Sequence, residues 1–100
     1  MGIADIVKKS SSDDIIDQMI EECGELIQAC VKLKRAYRGT TPVSIMDARV
    51  ALVEEMADVE VARTVMMYGI LSHEERREMA QIESDKTDRW CKRINEAGGA

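Results

Sequence analysis

Apolar residues recur along the chain with the spacing of α-helices rather than β-strands. From about residue 12 to residue 36 they form one broad stripe at about 100° per residue, which predicts a long amphipathic helix. The same reasoning predicts a second helix from about Ile45 to Ile70 and a third from about His73 to Asn95. The segment IADIVKK, residues 3–9, predicts a further short helix.

Capping residues and helix breakers mark the ends of these elements. Ser72 and Glu75 have the spacing of a capping box, and Ser44 and Asp47 have the same spacing with Asp in place of Glu or Gln. The stretch YRGTTPV, residues 37–43, contains Gly and Pro and predicts the connection between the first two long helices.

The second long helix differs from the others because its apolar residues between Val50 and Ile70 point in every direction. Such a pattern is typical of a buried helix, and one small chain can hardly cover it, so we expect a partner subunit. The predicted fold is all-α, an antiparallel helical hairpin plus a third long helix in an oligomeric helical bundle. We expect a single domain over residues 1–100, with residues 1–10 and 96–100 peripheral or frayed.

Composition narrows the classes of function. The net charge of −5 disfavours general binding to nucleic acid or to an anionic membrane. No apolar run reaches the roughly 18 residues of a membrane span, and the N-terminus lacks the apolar stretch of a signal peptide, so we expect a cytoplasmic protein. The three cysteines have no zinc-binding spacing and are expected to be reduced thiols in the core.

Two acidic motifs carry the candidate chemistry. EECGE, residues 21–25, lies on the first long helix, and EEMAD, residues 54–58, lies on the second. Each places carboxylates three and four residues apart, which puts them on one helix face. On a helical wheel Glu22 and Glu25 lie closer to the apolar stripe than Glu21, so they are better placed to face a neighbouring helix.

The two motifs are symmetric about the predicted turn. In an antiparallel hairpin around Thr40, positions whose numbers sum to 80 lie level, which pairs Glu25 with Glu55 and Glu22 with Asp58. Four converging carboxylates repel one another unless a hard divalent cation joins them. The sequence therefore predicts a site for Mg²⁺, with Mn²⁺ as a substitute.

Other interpretations remain open at this point. Either acidic run alone is often a solvated helix face. A di-iron carboxylate bundle needs Glu-x-x-His motifs, and the only histidine, His73, lies outside both motifs. A non-catalytic helical regulatory or assembly module with the same fold is the remaining alternative.

The segments EECGEL (21–26) and LVEEMADV (52–59) resemble the paired ExxE and ExxD helices of MazG-like nucleotide pyrophosphohydrolases, and the resemblance extends over about residues 12–95. It implies an all-α bundle that assembles as a homodimer or homotetramer. It also implies Mg²⁺-dependent hydrolysis of a nucleoside triphosphate to the monophosphate and pyrophosphate. The positions that match the metal-binding and catalytic acids of the family are Glu22, Glu25, Glu55 and Asp58.

Further residues are candidates for substrate contact. Family members often carry basic residues after the ExxD motif, and here Lys86, Arg89 and Arg93 share one sector of the third helix, where they either bind phosphate or balance neighbouring acids. Gln18, one turn before Glu22, is expected to line the pocket or to contact a partner chain. Trp90 is expected in the core and His73 at the surface. The carboxylates considered for the general base are Glu21, Glu22 and Glu54.

Overall fold

The structure is a computed structural model that describes residues 2–98, and within that range it contains four helices and no strand. The helices are α1 (Ile3–Lys9), α2 (Ser12–Arg38), α3 (Ile45–Gly69) and α4 (His73–Gly98). The predicted all-α class and all four predicted helices are therefore confirmed. By its contacts the chain divides into two compact units, one up to Ile70 and one from Leu71 onward.

The ends of α2 follow from local hydrogen bonds. At its start the Ser11 hydroxyl accepts from the Asp14 backbone N–H at 3.1 Å, and the Asp14 carboxylate accepts from the Ser11 N–H at 3.4 Å. At its end Gly39 adopts the left-handed conformation with φ of 69°, and its N–H donates to the carbonyl of Ala36. Glycine adopts this conformation without strain, so the helix closes two residues beyond the predicted end, at Arg38.

The start of α4 is a complete capping box. The Ser72 hydroxyl accepts from the Glu75 N–H at 3.1 Å, while the Glu75 carboxylate accepts from the Ser72 N–H at 2.9 Å. The backbone N–H of Ser72, followed by its hydroxyl group, stabilises the charged carboxylate and lowers the pKa of Glu75. The helix extends to Gly98, so residues 96–98 are helical rather than frayed, whereas the predicted fraying of residues 99–100 lies outside the described residues.

The α4 helix buries none of its residues. The prediction that Trp90 lies in the core is wrong, because its side chain is 64% exposed. A single apolar stripe on the helix did not distinguish a residue that packs within the chain from one that is left uncovered. The prediction that His73 lies at the surface is confirmed.

The first unit is built on the hairpin of α2 and α3, with α1 packed against α3. Its buried residues are mostly small, and they come from both long helices: Ile15, Ala29, Ala36, Ala48, Ala62 and Val65. Small side chains let two helix backbones approach closely, so polar groups on the facing surfaces can also meet. The cysteines contribute less to the core than predicted. Cys30 and Cys91 are exposed, and Cys23 is only partly buried. The prediction that the three cysteines lie in the core is therefore wrong.

Large apolar faces remain exposed on both long helices. On α3 the exposed apolar residues include Met46, Val50, Val53, Met56, Val61 and Tyr68. On α2 they include Ile16, Ile20, Ile27 and Val31, which lie on one side of the helix. The chain thus does not bury α3 on all sides by itself. No described helix has the length and apolar character that crossing a membrane requires.

Gly69, the last residue of α3, lies close to side chains that pack on this helix. A Cβ atom at this position would lie 2.6 Å from Cδ1 of Ile15, a buried residue, and 3.6 Å from the methyl groups of Val7. We expect Gly69→Ala to lower the free energy of unfolding by about 1 kcal/mol, because the overpacking cost exceeds the gain in helix propensity. Urea denaturation followed by circular dichroism measures the change.

Gly24, in the middle of α2, provides the matched control. A Cβ atom there would meet nothing within 4 Å. Gly24→Ala is therefore expected to raise the free energy of unfolding by about 0.5–1 kcal/mol through helix propensity alone. Equal stabilisation by both substitutions would contradict the close packing described at Gly69.

Candidate metal centre

The four carboxylates singled out in the sequence meet between α2 and α3. One oxygen from each of Glu22, Glu25, Glu55 and Asp58 belongs to a group whose members all lie within 4.8 Å of one another. The first two residues come from α2 and the last two from α3. The geometric prediction that these acids converge is therefore confirmed.

The register of the hairpin explains the convergence. Residues of α2 and α3 line a common cavity in pairs whose numbers sum to 80: Ile15 with Val65, Gln18 with Ala62, and Glu22 with Asp58. The same sum of 80 was predicted from the sequence for two antiparallel helices that turn at Thr40. The short connection between Arg38 and Ile45 favours this antiparallel arrangement of the two helices.

Two of the carboxylate oxygens are buried without a partner. Oε2 of Glu22 and Oε2 of Glu55 are shielded from solvent and accept no hydrogen bond. The other oxygen of Glu22, Oε1, accepts a 2.7 Å hydrogen bond from Nε2 of Gln18, one turn earlier on α2. A buried carboxylate oxygen without a hydrogen bond is costly, so the two unpartnered atoms indicate a place for a ligand.

The acids also perturb each other's protonation. Desolvation raises the pKa of Glu22, and the charges of Glu25 and Asp58 raise it further. A hydrogen bond between the carboxyl groups of Glu25 and Glu55 raises the pKa of Glu25, and the charge of Glu55 acts in the same direction. Without a cation Glu22 and Glu25 therefore retain protons more readily than isolated carboxylates do.

The donor set fits a hard divalent cation. All four residues offer carboxylate oxygens, which Mg²⁺ and Mn²⁺ prefer over nitrogen or sulfur. The 4.8 Å span of the oxygens is close to the distance between opposite oxygens around such an ion, about 4 Å for Mg²⁺ and about 5 Å for Ca²⁺. The two buried oxygens without partners, Oε2 of Glu22 and Oε2 of Glu55, belong to residues of this cluster.

The other predicted site residues divide between the two units. Gln18 is hydrogen-bonded to Glu22 and lines the cavity beside the cluster, while its predicted contact with substrate stays a prediction. Lys86, Arg89 and Arg93 belong to α4 in the second unit, where they line one depression together with Trp90. Their predicted contact with phosphate stays a prediction.

One component of the site was not predicted from the sequence, namely the wall that α1 and the first turn of α2 add to the cavity beside the cluster. Ile6 and Ser10 come from α1 and the residue after it, and Asp14 comes from the first turn of α2. Asp14 shares the helix face of Gln18, four residues later, and this spacing was the available signal. No sequence feature placed α1 there, because its contact with α3 depends on tertiary packing.

No protein-family model, curated protein or solved structure matches this chain. Function is therefore inferred from the geometry of the acidic cluster, from the cavity beside it, and from the resemblance of the two motifs.

Proposed function

We propose that this protein is a Mg²⁺-dependent nucleoside triphosphate pyrophosphohydrolase of the MazG-like type, forming one functional domain over residues 1–100. The observation that carries the proposal is the meeting of Glu22, Glu25, Glu55 and Asp58 between two helices, with two buried oxygens that lack partners. One water is consumed, the linkage between the α- and β-phosphates is cleaved, and the products are the nucleoside monophosphate and pyrophosphate.

A divalent cation at the cluster supplies phosphate binding, neutralisation of developing charge, and a lowered pKa for a bound water. Residues of the chain itself hold the carboxylates in position for such a cation. Gln18 holds Glu22 in orientation through the 2.7 Å hydrogen bond to Oε1, while Oε2 stays buried without a hydrogen bond. Glu25 and Glu55 would both hold the cation, and because Glu55 raises the pKa of Glu25, binding of the cation would be coupled to loss of a proton from Glu25.

Among the carboxylates considered for the general base, Glu21 and Glu54 have different surroundings. Glu21 is close enough to the cluster for its charge to raise the pKa of both Glu22 and Glu25. Glu54 lines an apolar groove of α3 together with Val50 and Val53, and it is not among the four clustered acids. Glu21 is thus the better placed of the two to accept a proton from a water at the cluster.

The decisive experiment measures pyrophosphate release from the eight common nucleoside triphosphates, with Mg²⁺ or Mn²⁺ present and with both removed by chelation. Release that requires the cation is the expected result. If no triphosphate yields pyrophosphate and calorimetry detects no Mg²⁺ binding, the non-catalytic helical module becomes the better interpretation.

We expect the protein to form a homodimer or homotetramer, because the apolar faces of α2 and α3 are otherwise left in water. Light scattering coupled to gel filtration measures the mass. Val53→Glu, at a residue that is 68% exposed, is expected to reduce the mass to that of a smaller assembly. Gln81→Glu on exposed α4 is the control and should leave the mass unchanged. A wild-type monomer at micromolar concentration would contradict this expectation.

A further inference from the structure

The cavity beside the acidic cluster has a volume of about 390 Å³, at the lower end of the roughly 300–1,000 Å³ found for small-molecule sites. Glu22 and Asp58 form part of its wall, so the cavity is continuous with the candidate metal centre. Apolar side chains form most of the remaining wall, and they come from α1, α2 and α3: Ile6, Ile15, Val61, Ala62 and Val65.

The charges of this wall determine which part of a nucleotide it can hold. Among the described residues that line the cavity there is no Lys, Arg or His, and three are acidic. A bare phosphate would be repelled there, whereas phosphates bridged by a cation are accommodated at the carboxylates themselves. An uncharged group with apolar faces suits the rest of the cavity, and in a nucleotide this group is the nucleoside.

The polar groups of the wall are mainly hydrogen-bond acceptors. Asp14 is a carboxylate, which only accepts. Gln18 donates one N–H of its Nε2 to Glu22, which leaves its carbonyl oxygen available as an acceptor beside the second N–H. Ser10 is the only wall residue whose hydroxyl both donates and accepts. A ligand that presents an N–H donor fits these groups, while one that presents a carbonyl oxygen places two acceptors against each other.

We propose that this cavity binds the nucleoside part of the substrate, and that Asp14 and Gln18 select bases that carry an exocyclic amino group over bases with a carbonyl at the same position. The proposal rests on the proposed function, since it concerns the same site. In this proposal α1 completes the pocket. Asp14 contributes to base specificity in addition to its role in the capping box of α2.

CTP and UTP form the sharpest pair of substrates, because their bases differ mainly by an amino group in place of a carbonyl. We expect kcat/KM for CTP to exceed that for UTP by about 10-fold or more, as is typical when one substrate leaves polar groups of the site unpaired. In Asp14→Asn the new amide can donate to the uracil carbonyl, so the ratio should fall toward one. Asp13→Asn, the same change at a neighbouring residue outside the cavity wall, should keep the wild-type ratio.

A second measurement does not depend on turnover. Cytidine and uridine, which lack phosphates, are titrated into the metal-free protein while the methyl signals of Ile and Val are followed by NMR. Cytidine is expected to shift the signals of Ile15, Val61 and Val65 at lower concentration than uridine does. Circular dichroism of Asp14→Asn verifies that α2 has kept its helix despite the altered cap.

The outcomes separate this inference from the proposed function. Pyrophosphate release with equal kcat/KM for CTP and UTP, or with a ratio that Asp14→Asn leaves unchanged, overturns the inference and leaves the function standing. Methyl shifts with cytidine but no release from any triphosphate overturn the proposed function and retain the cavity as a nucleoside site. Absence of both release and shifts overturns the two together.

Discussion

Glu55→Gln is expected to lower kcat/KM for pyrophosphate release by more than about 100-fold while leaving the helices intact. The substitution removes one of the four clustered carboxylates and its buried oxygen, Oε2. Loss of an outer hydrogen-bond partner of a metal ligand already costs about 10- to 100-fold, so loss of a ligand itself should cost more. A coupled assay of pyrophosphate release at saturating Mg²⁺ measures the effect.

The same substitution should stabilise the metal-free protein, because the cluster loses one charge from a group that repels itself. If Glu55→Gln lowers activity but raises the melting temperature in chelator, Glu55 serves function. If the substitution lowers both, Glu55 serves the stability of the fold. Glu60→Gln is the control: Glu60 is exposed on α3 and pairs at 3.2 Å with Arg63, outside the cluster. Full activity in Glu55→Gln would show that the proposed site is wrong.

Mg²⁺ is expected to stabilise the protein strongly at pH 8 and weakly at pH 5. At a concentration 100 times the dissociation constant a bound ligand contributes about 2.7 kcal/mol, which for a chain of this size corresponds to roughly 10 °C or more in melting temperature. At pH 5 protons compete for the clustered carboxylates, because the pKa values of Glu22 and Glu25 are raised in the folded protein.

The direction of the metal-free pH dependence follows from the same shifts. A carboxyl group whose pKa is raised by folding binds protons more tightly in the native state, so its contribution to stability is present at low pH and is lost as the pH rises through the folded-state pKa. For Glu22 the facing groups are Glu25, Asp58, Glu21 and Gln18. Glu75 acts oppositely, since its lowered pKa gives stability that is lost as the pH falls through its folded-state value.

Differential scanning fluorimetry at pH 5 and pH 8, at one protein concentration and with or without Mg²⁺, tests this dependence. The double variant Glu22→Gln, Glu25→Gln should lose both the stabilisation by Mg²⁺ and the cluster's contribution to the pH profile. Asp13→Asn, which changes an exposed carboxylate outside the cluster, should retain both. Equal shifts by Mg²⁺ at the two pH values would contradict protonation of the cluster.

The sequence was sufficient to predict the hairpin and its acidic cluster because both depend on short-range rules. Periodicity placed α2 and α3, the connection with Gly39 fixed the turn, and the register then followed from residue numbers alone. The choice of Glu22 over Glu21 came from its angle relative to the apolar stripe, and the structure includes Glu22 in the cluster.

What the sequence did not predict depends on contacts between distant segments. An apolar residue on a helix stripe is compatible with a core, a partner or solvent, which explains the wrong placement of Trp90 and Cys30. The contribution of α1 to the cavity was missed for the same reason. Its seven residues contain no pattern that specifies which part of α3 they contact.

The whole acidic cluster and the whole cavity beside it belong to the part of the chain that ends at Ile70. We therefore expect cation affinity and base preference, as proposed above, to depend on residues that precede α4. Chimeras that exchange α4 for an unrelated helix are expected to retain both the cluster and the cavity. Such a division would let protein engineering alter one unit of the chain while the other keeps its sequence.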